Sequence, residues 1–391
     1  MKNKTSFLYW QIYCDIITQI KEDRLSAGDK LEREVDLAAR YGVSRSTIRK
    51  ALDYLCRMNL IYRVKKGGTF INGKFSRDFY KIIPTILPFK EDLHAQLVSG
   101  IQTCALARNS FSPVYDSIEN VEREREFLES LLELNVDGLI LYPCTGIENL
   151  DILYKFKARG IPIIFLDRRV PGIDSPLVTS NNVQGMTLAV NHLLELGHKD
   201  IVFSAININS IQPEQDRLRG FLETLTKAGA AASRESIFSL HNLSDKLIKY
   251  SPKHQTDYYN SVVKKSFTKM LSAPKPPTAV AFLNDYLAMN FIKFAGSYGL
   301  RIPEDISITG FDDVPGGKNA SPPLTTVRQN FFEIGKTAVE LMLSQINGSA
   351  VPRTSLIDTE FLVRGSTAAP NGGVECGNMP APHPDLSAAP S

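Results

Sequence analysis

Long apolar runs are missing from this chain: no stretch reaches the roughly 18 apolar residues that a membrane-crossing helix needs, so a soluble protein is expected. The opening residues MKNKTSFLYWQIYCDIITQIKEDR interrupt their apolar side chains at Gln11, Asp15 and Gln19. They offer neither a continuous hydrophobic segment nor a small-residue cleavage site, and a cytoplasmic location is expected rather than export. Cysteines are few and scattered (Cys14, Cys56, Cys104, Cys144, Cys376). With no paired spacing they fit neither a disulfide framework nor a zinc knuckle, and reduced thiols are expected. Glycine-rich phosphate loops are absent as well, because Gly67-Gly68 and Gly316-Gly317 are followed by neither Lys-Ser nor Lys-Thr. Asp312-Asp313 is an adjacent carboxylate pair and Asp167-Arg168-Arg169 clusters charge. Neighbours at a strand end point different ways, however, and no activated nucleophile or metal-ligand spacing accompanies them. No catalysis, cofactor or metal is expected.

What remains is a chain of 391 residues, 43% hydrophobic and 22% charged, long enough for two or three units that each bury a core. Its formal net charge of +3 is unevenly spread. Residues 1–80 hold 16 Lys+Arg against 9 Asp+Glu, leaving 29 against 33 elsewhere, so the positive field sits at the amino-terminal end, where a polyanion would dock.

That basic end has a short, dense pattern. Leu8, Ile12, Ile16 and Ile20 recur at helical spacing over 5–25 and stop at the turn signal Ser26-Ala27-Gly28-Asp29. A second helix is expected over Glu34 to Tyr41, ending at Gly42, and a third over Arg45 to Met58, capped by Ser44. In the third, Ile48, Leu52 and Leu55 share one face, leaving Arg45, Ser46, Arg49, Lys50 and Asp53 on others. Leu60 to Val64 and Thr69 to Ile71, joined by Lys65-Lys66-Gly67-Gly68, read as a hairpin with a basic tip. Helix, helix-turn-helix and hairpin together make a winged helix over 1–72. Arg45 and Arg49 are one turn apart, so both can enter a major groove, where Arg recognises guanine bidentately.

The polar, aperiodic stretch 72–81 carries the linker, placed at 73–81. From Ile82 onward short apolar strands (IIPTIL, DGLILYP, IPIIFLD, IVFSAI, SIFSL, AVAFL, ISITGF) alternate with helical stretches near 93–108, 148–159, 182–196, 215–228, 257–271 and 285–298. This is the signature of parallel sheets covered on both faces. The expected fold class is therefore α/β, an N-terminal winged helix-turn-helix plus a two-lobed doubly wound domain over 82–366. Lobe one is expected to hold 82–178 plus 312–328, and lobe two 180–311 plus 329–366. Ligand is expected where strand carboxyl ends of both lobes face a cleft. The tail, 367–391, is rich in Pro, Gly, Ala and Ser and is expected to be disordered.

The segments LSAGDKL, GVSRSTIRKALDYL and NLIYRVKKGGTFI resemble the winged-helix domain of GntR-type regulators, over roughly residues 7–72. The resemblance implies sequence-specific binding of double-stranded operator DNA. It places Arg45, Thr47 and Arg49 at base-reading and phosphate-contacting positions and sends the wing around Lys65, Lys66 and Gly67 toward the minor groove. Ser44 and Ser46 suit phosphates or base edges. Where the family usually has Pro-Ser-Glu-Arg this chain has Glu32-Arg33-Glu34-Val35, which brings Arg33 into the candidate set.

The larger region resembles the effector domain of LacI/GalR regulators, itself similar to periplasmic sugar-binding proteins. The segments that carry the likeness are GIPIIFLDR, NNVQGMTLAVNHLLELGHKDIVF, DRLRGF, FLNDYLAMNFIKFAGSYGLRIPEDISITGFDD and PPLTTVRQN. The combination looks like the arabinose-repressor type of hybrid. It implies a homodimeric repressor of carbohydrate-utilisation genes, controlled by a small sugar. The ligand positions it implies are Asp167, Arg217, Asn284 and Asp312, to which Phe89 adds a ring for stacking. Carboxylates accept from sugar hydroxyls while Arg and Asn donate. Two rivals stay open: a transport-type sugar carrier, which would have a signal peptide and no basic head, and an architectural DNA binder with an empty sensor.

Overall fold

The structure is a computed structural model that describes residues 12–13, 15–19, 24–57, 60–72, 81–88, 91–134, 136–144, 146–205, 211–230, 237–239, 264, 267–272 and 276–371. In the amino-terminal head, residues 12–13 and 15–19 are helical, and Ile12, Tyr13, Ile16 and Ile17 are buried. The helix Glu34–Tyr41 stops at Gly42, whose φ of 62° suits glycine and whose N–H reaches the carbonyls of Ala38 and Ala39. The next helix, Arg45–Arg57, buries Ile48, Ala51, Leu52 and Leu55 against Leu37, Leu60, Ile61 and Ile71.

Strands β1 (Ile61–Val64) and β2 (Gly68–Ile71) pair antiparallel, Ile61 opposite Ile71 and Val64 opposite Gly68. The Leu31 N–H donates to Thr69 O, and Lys30 bridges Phe70, so the stretch before the helix Glu34–Tyr41 adds an edge to the wing. The sequence pattern marks only the turn that precedes this edge.

Behind the head lie β3 (Lys81–Ile82), β4 (Thr85–Leu87), β5 (Ser110–Phe111), β6 (Val114–Asp116), β7 (Leu139–Leu141), β8 (Ile163–Leu166) and β9 (Leu177–Ser180). They are followed by β10 (Ile201–Ala205), β11 (Ile237–Ser239), β12 (Ala279–Phe282), β13 (Ser307–Asp312), β14 (Thr325–Arg328), β15 (Thr354–Ile357) and β16 (Glu360–Leu362). One six-stranded sheet runs β15-β9-β8-β7-β4-β6 and the other β11-β10-β12-β13-β14-β16. The five strands from β6 to β9, and the five from β11 to β14, pair parallel throughout. Each set places its second strand outside its first, the flavodoxin-like order, in which ligands bind beyond the strand carboxyl ends.

The chain divides into two units, one of 1–90, 94–178 and 335–354, the other of 91–93, 179–334 and 355–391. The expected placement of 312–328 in the first lobe is overturned, since β14 pairs with β13 in the second sheet, Thr309 opposite Thr325. Thr325, Thr326 and Val327 are buried, and backbone groups there need a neighbouring strand to satisfy them.

The segment that crosses back is 335–354, led by the helix Phe331–Ile346. A Cβ on Gly335 would stand 2.4 Å from Leu97 O, so only glycine permits that close approach. The tail expectation is corrected at its start: His198 Nε2 lies 2.9 Å from Ala368 O, and Ser307 Oγ donates to the same carbonyl. Residues 372–391 lie outside the described residues, as do the linker residues 73–80 and most of the helix expected over 257–271.

Candidate functional site

On the head, Ser44 caps the helix Arg45–Arg57. Its Oγ accepts from Thr47 N at 3.2 Å and lies 2.8 Å from Thr47 Oγ1 and 2.7 Å from Ser46 Oγ. Thr47 is thereby a correction to the expected DNA face: its backbone position turns it inward, it is 2% exposed, and its hydroxyl is taken by Ser44. Ser46, Arg45, Arg49, Lys65 and Lys66 are exposed and Gly67 half-buried.

Lys66 has φ 62° at the hairpin tip, and the Gly67 N–H donates to Val64 O. A Cβ on Gly67 would meet Val64 Cγ1 at 2.7 Å, so this glycine is what allows the tight tip. Arg33 is exposed and donates to Asp36 from Nε at 2.7 Å. Val35, at the position the family gives to arginine, is 51% exposed.

In the second unit, Arg217 stands on the helix Gln212–Lys227 and is almost fully buried. Its Nε donates to Asn182 Oδ1 and its Nη1 to Leu283 O, each at 2.8 Å. Its Nη2 lies 3.4 Å from Asp312 Oδ1, and the guanidinium sits 3.7 Å from the Phe311 ring centroid. The neighbouring Asp216 is held instead by Arg219.

Asp312 ends β13 with φ 120° and accepts from Gln329 Nε2 at 2.6 Å, while Gln329 Oε1 accepts from Ser180 Oγ at 2.6 Å. Asn284 precedes the helix Asp285–Ser297, and its Oδ1 accepts from Leu287 N at 2.9 Å. That leaves the side-chain NH2 as its donor group.

The structure adds residues that sequence reading missed. Asn182, Ser180 and Gln329 complete the polar array around Arg217 and Asp312, and Asp285 lies completely buried behind it. Asp285 Oδ2 accepts from Val314 N at 2.9 Å and its Oδ1 from the Thr326 hydroxyl at 2.5 Å. Burial first, and the Asp312 charge second, push its pKa up to about 7. Its place as the first residue of a helix following a strand was the available signal.

In the first unit, Asp167 follows β8 with φ 64°. Arg168 donates from Nε to Asp167 Oδ2 at 3.0 Å and from Nη2 to the Tyr142 hydroxyl at 3.3 Å. The His94 ring meets Tyr142 edge-on at 5.5 Å. Burial works against the Arg168 charge, but Asp167 and Tyr142 together outweigh it and raise its pKa, while burial and Asp167 raise that of Tyr142. Phe89 lies outside the described residues. Among the described residues no group of three or more His, Cys, Asp or Glu is arranged to hold a metal, and no helix is long and apolar enough to cross a membrane.

Residues 8–71 match the model of bacterial regulatory proteins of the gntR family, and residues 190–367 match that of the periplasmic binding protein-like domain. The chain is thus a DNA-binding transcription regulator, a GntR-type winged helix joined to a periplasmic-binding-protein-like domain, and not an enzyme. More particularly, it is similar along nearly its whole length to the arabinose metabolism transcriptional repressor of Geobacillus stearothermophilus. The two are 27% identical over 380 residues, covering 94% of this chain and 99% of the relative. It is also 27% identical over 314 residues to the transcriptional repressor CytR of Escherichia coli, covering 79% and 84%. Among solved structures, a LacI family regulator from Enterococcus faecium with bound ribose superposes with a TM-score of 0.59 at 25% identity, covering 74% of this chain and 99% of that one.

Proposed function

We propose that this regulator is a cytoplasmic, homodimeric repressor of carbohydrate-utilisation genes that leaves its operator when a small sugar binds the second domain. Its parts are a DNA-reading head to residue 72, a linker over 73–81 and an effector domain from 82. Arg45 and Arg49 read base edges in the major groove, Ser44, Ser46 and Arg33 meet the backbone, and Lys65, Lys66 and Gly67 carry the wing to the minor groove. Two heads read the halves of a near-palindromic site. Arg217, Asn284 and Asp312 hold the sugar hydroxyls, and Asp167 is the equivalent acid of the first unit.

The observation that carries the effector reading is that both sheets end a strand in an aspartate with positive φ beside a guanidinium, Asp167 with Arg168 and Asp312 with Arg217. Strained backbone persists where function demands it. The ribose bound to the Enterococcus faecium protein and the arabinose metabolism of the Geobacillus relative support a sugar.

The test is thermal unfolding of the full chain with L-arabinose, D-ribose and a panel of other monosaccharides, disaccharides and sugar phosphates. A ligand at about 100 times its dissociation constant adds roughly 2.7 kcal/mol. One sugar is expected to raise the midpoint of the wild type and not of Asp312→Ala. If no sugar shifts the wild type, the sugar reading falls.

A further inference from the structure

We propose that Glu34 is a positioning residue of the DNA-reading face: its carboxylate bridges Arg49 of the helix Arg45–Arg57 and Arg63 of the wing, aiming both guanidinium groups and withholding them from unselective phosphate contact. Glu34 Oε2 accepts from Arg49 Nη2 at 3.0 Å, and Oε1 lies 3.5 Å from Arg63 Nη2. Arg63 donates in turn to Asp53 Oδ1 at 2.5 Å, which returns the chain of contacts to the helix Arg45–Arg57. One carboxylate thereby ties the helices Glu34–Tyr41 and Arg45–Arg57 to the first wing strand. Its side chain is 23% exposed, against 58% for Arg49 and 39% for Arg63, so it stands behind the two cations.

Stability alone does not account for this arrangement, since an exposed ion pair contributes little. Affinity for DNA does not either. A carboxylate on a surface that meets phosphates repels them, and a guanidinium neutralised by it releases no counterions. What the bridge does supply is direction. An unrestrained arginine samples many rotamers and meets any phosphate within reach, whereas bidentate recognition of guanine needs a fixed fork. A carboxylate early in a helix is also favoured by the helix dipole, a role that would not depend on Arg49 or Arg63.

The full chain supplies the test, using a random-sequence duplex library and salt titrations on a random duplex. Glu34→Gln is expected to bind the random duplex roughly eightfold more tightly near 0.1 M salt and to steepen the salt slope by about one, the effect of one further phosphate contact. The motif it selects is expected to lose base preference where the wild type has it. Glu34→Asp, which keeps the charge but shortens the reach, is expected to behave alike. Glu32→Gln is the control, because it removes the same charge from the same head while its partner is Arg40. It is expected to leave the motif unchanged. Weaker or unaltered binding of the random duplex by Glu34→Gln, an unchanged motif, or an equal effect of Glu32→Gln overturns the proposal. If the wild type itself enriches no sequence, base-specific reading by the head falls with it.

Discussion

Asp167 and Asp312 occupy the same place in two copies of one topology, the carboxyl end of the fourth strand in a five-strand parallel order, and both hold φ in the positive range. They differ in what holds them. Asp167 is paired by Arg168, the next residue in the chain, over Tyr142. Asp312 is paired by Arg217 from a distant helix, which also binds Asn182 and Leu283 O, and by Gln329, which binds Ser180. The Arg217–Asp312 pair is also the drier, with side chains 8% and 11% exposed against 19% and 16% for Arg168–Asp167. One acid is held by a local clasp, the other by a network that joins five segments of chain. The second arrangement resists change and transmits it, because no member can move without leaving a buried group unpaired.

The sharpest way to break this contrast is to remove the guanidinium from each side. Arg217→Met takes the guanidinium from Asp312 and the donors from Asn182 Oδ1 and the Leu283 carbonyl, and a loss of about 3–5 kcal/mol is expected in denaturant unfolding. An equal loss in Arg168→Met would abolish the distinction.

The next effect concerns pH. The Asp285 carboxyl is raised to about 7 by burial and by Asp312, so the folded protein holds a proton there that the unfolded chain releases near pH 4. Unfolding then releases protons between those values, and stability falls as pH rises from about 4 to about 7, with no further change from this group above that. Asp285→Asn is expected to flatten that slope, read as the unfolding midpoint against pH; an unchanged slope would remove Asp285 from the account.

Gln329→Leu tests the network one step out. Taking the acceptor from Ser180 Oγ and the shorter of two contacts from Asp312 Oδ1 is expected to cost about 1–3 kcal/mol and to weaken any sugar-induced shift. Arg168→Met closes the series at about 1 kcal/mol, its partner being wetter and its contacts local.

The same contrast decides what was legible in the sequence. Local chemistry could be read directly: Gly42 ending a helix, the glycine-tipped hairpin, and the aspartates following apolar strands. Asp167 with Arg168 was visible as a charged triplet. Arg217 was visible as a residue, but its partners Asn182 and Leu283 lie 35 and 66 positions away, and no periodicity records that. Asp285 was hidden because a helix-leading aspartate normally needs no further explanation. Alternation of strands and helices counts elements without saying which sheet receives them, hence the misplacement of 312–328. Thr47 misled for another reason: a hydroxyl in a basic helix suits phosphate, yet this one faces the core.

The return of 335–354 to the first unit bears on the order in which the protein is made. The winged helix is contiguous, and everything it needs has been synthesised by about residue 72. The first sheet is not so placed: β15 and the helix docked through Gly335 are specified more than 150 residues after β9. At about 5–20 residues per second, that sheet stands without its last strand for something like ten to thirty seconds. The DNA-binding head is therefore complete well before the domain that follows it.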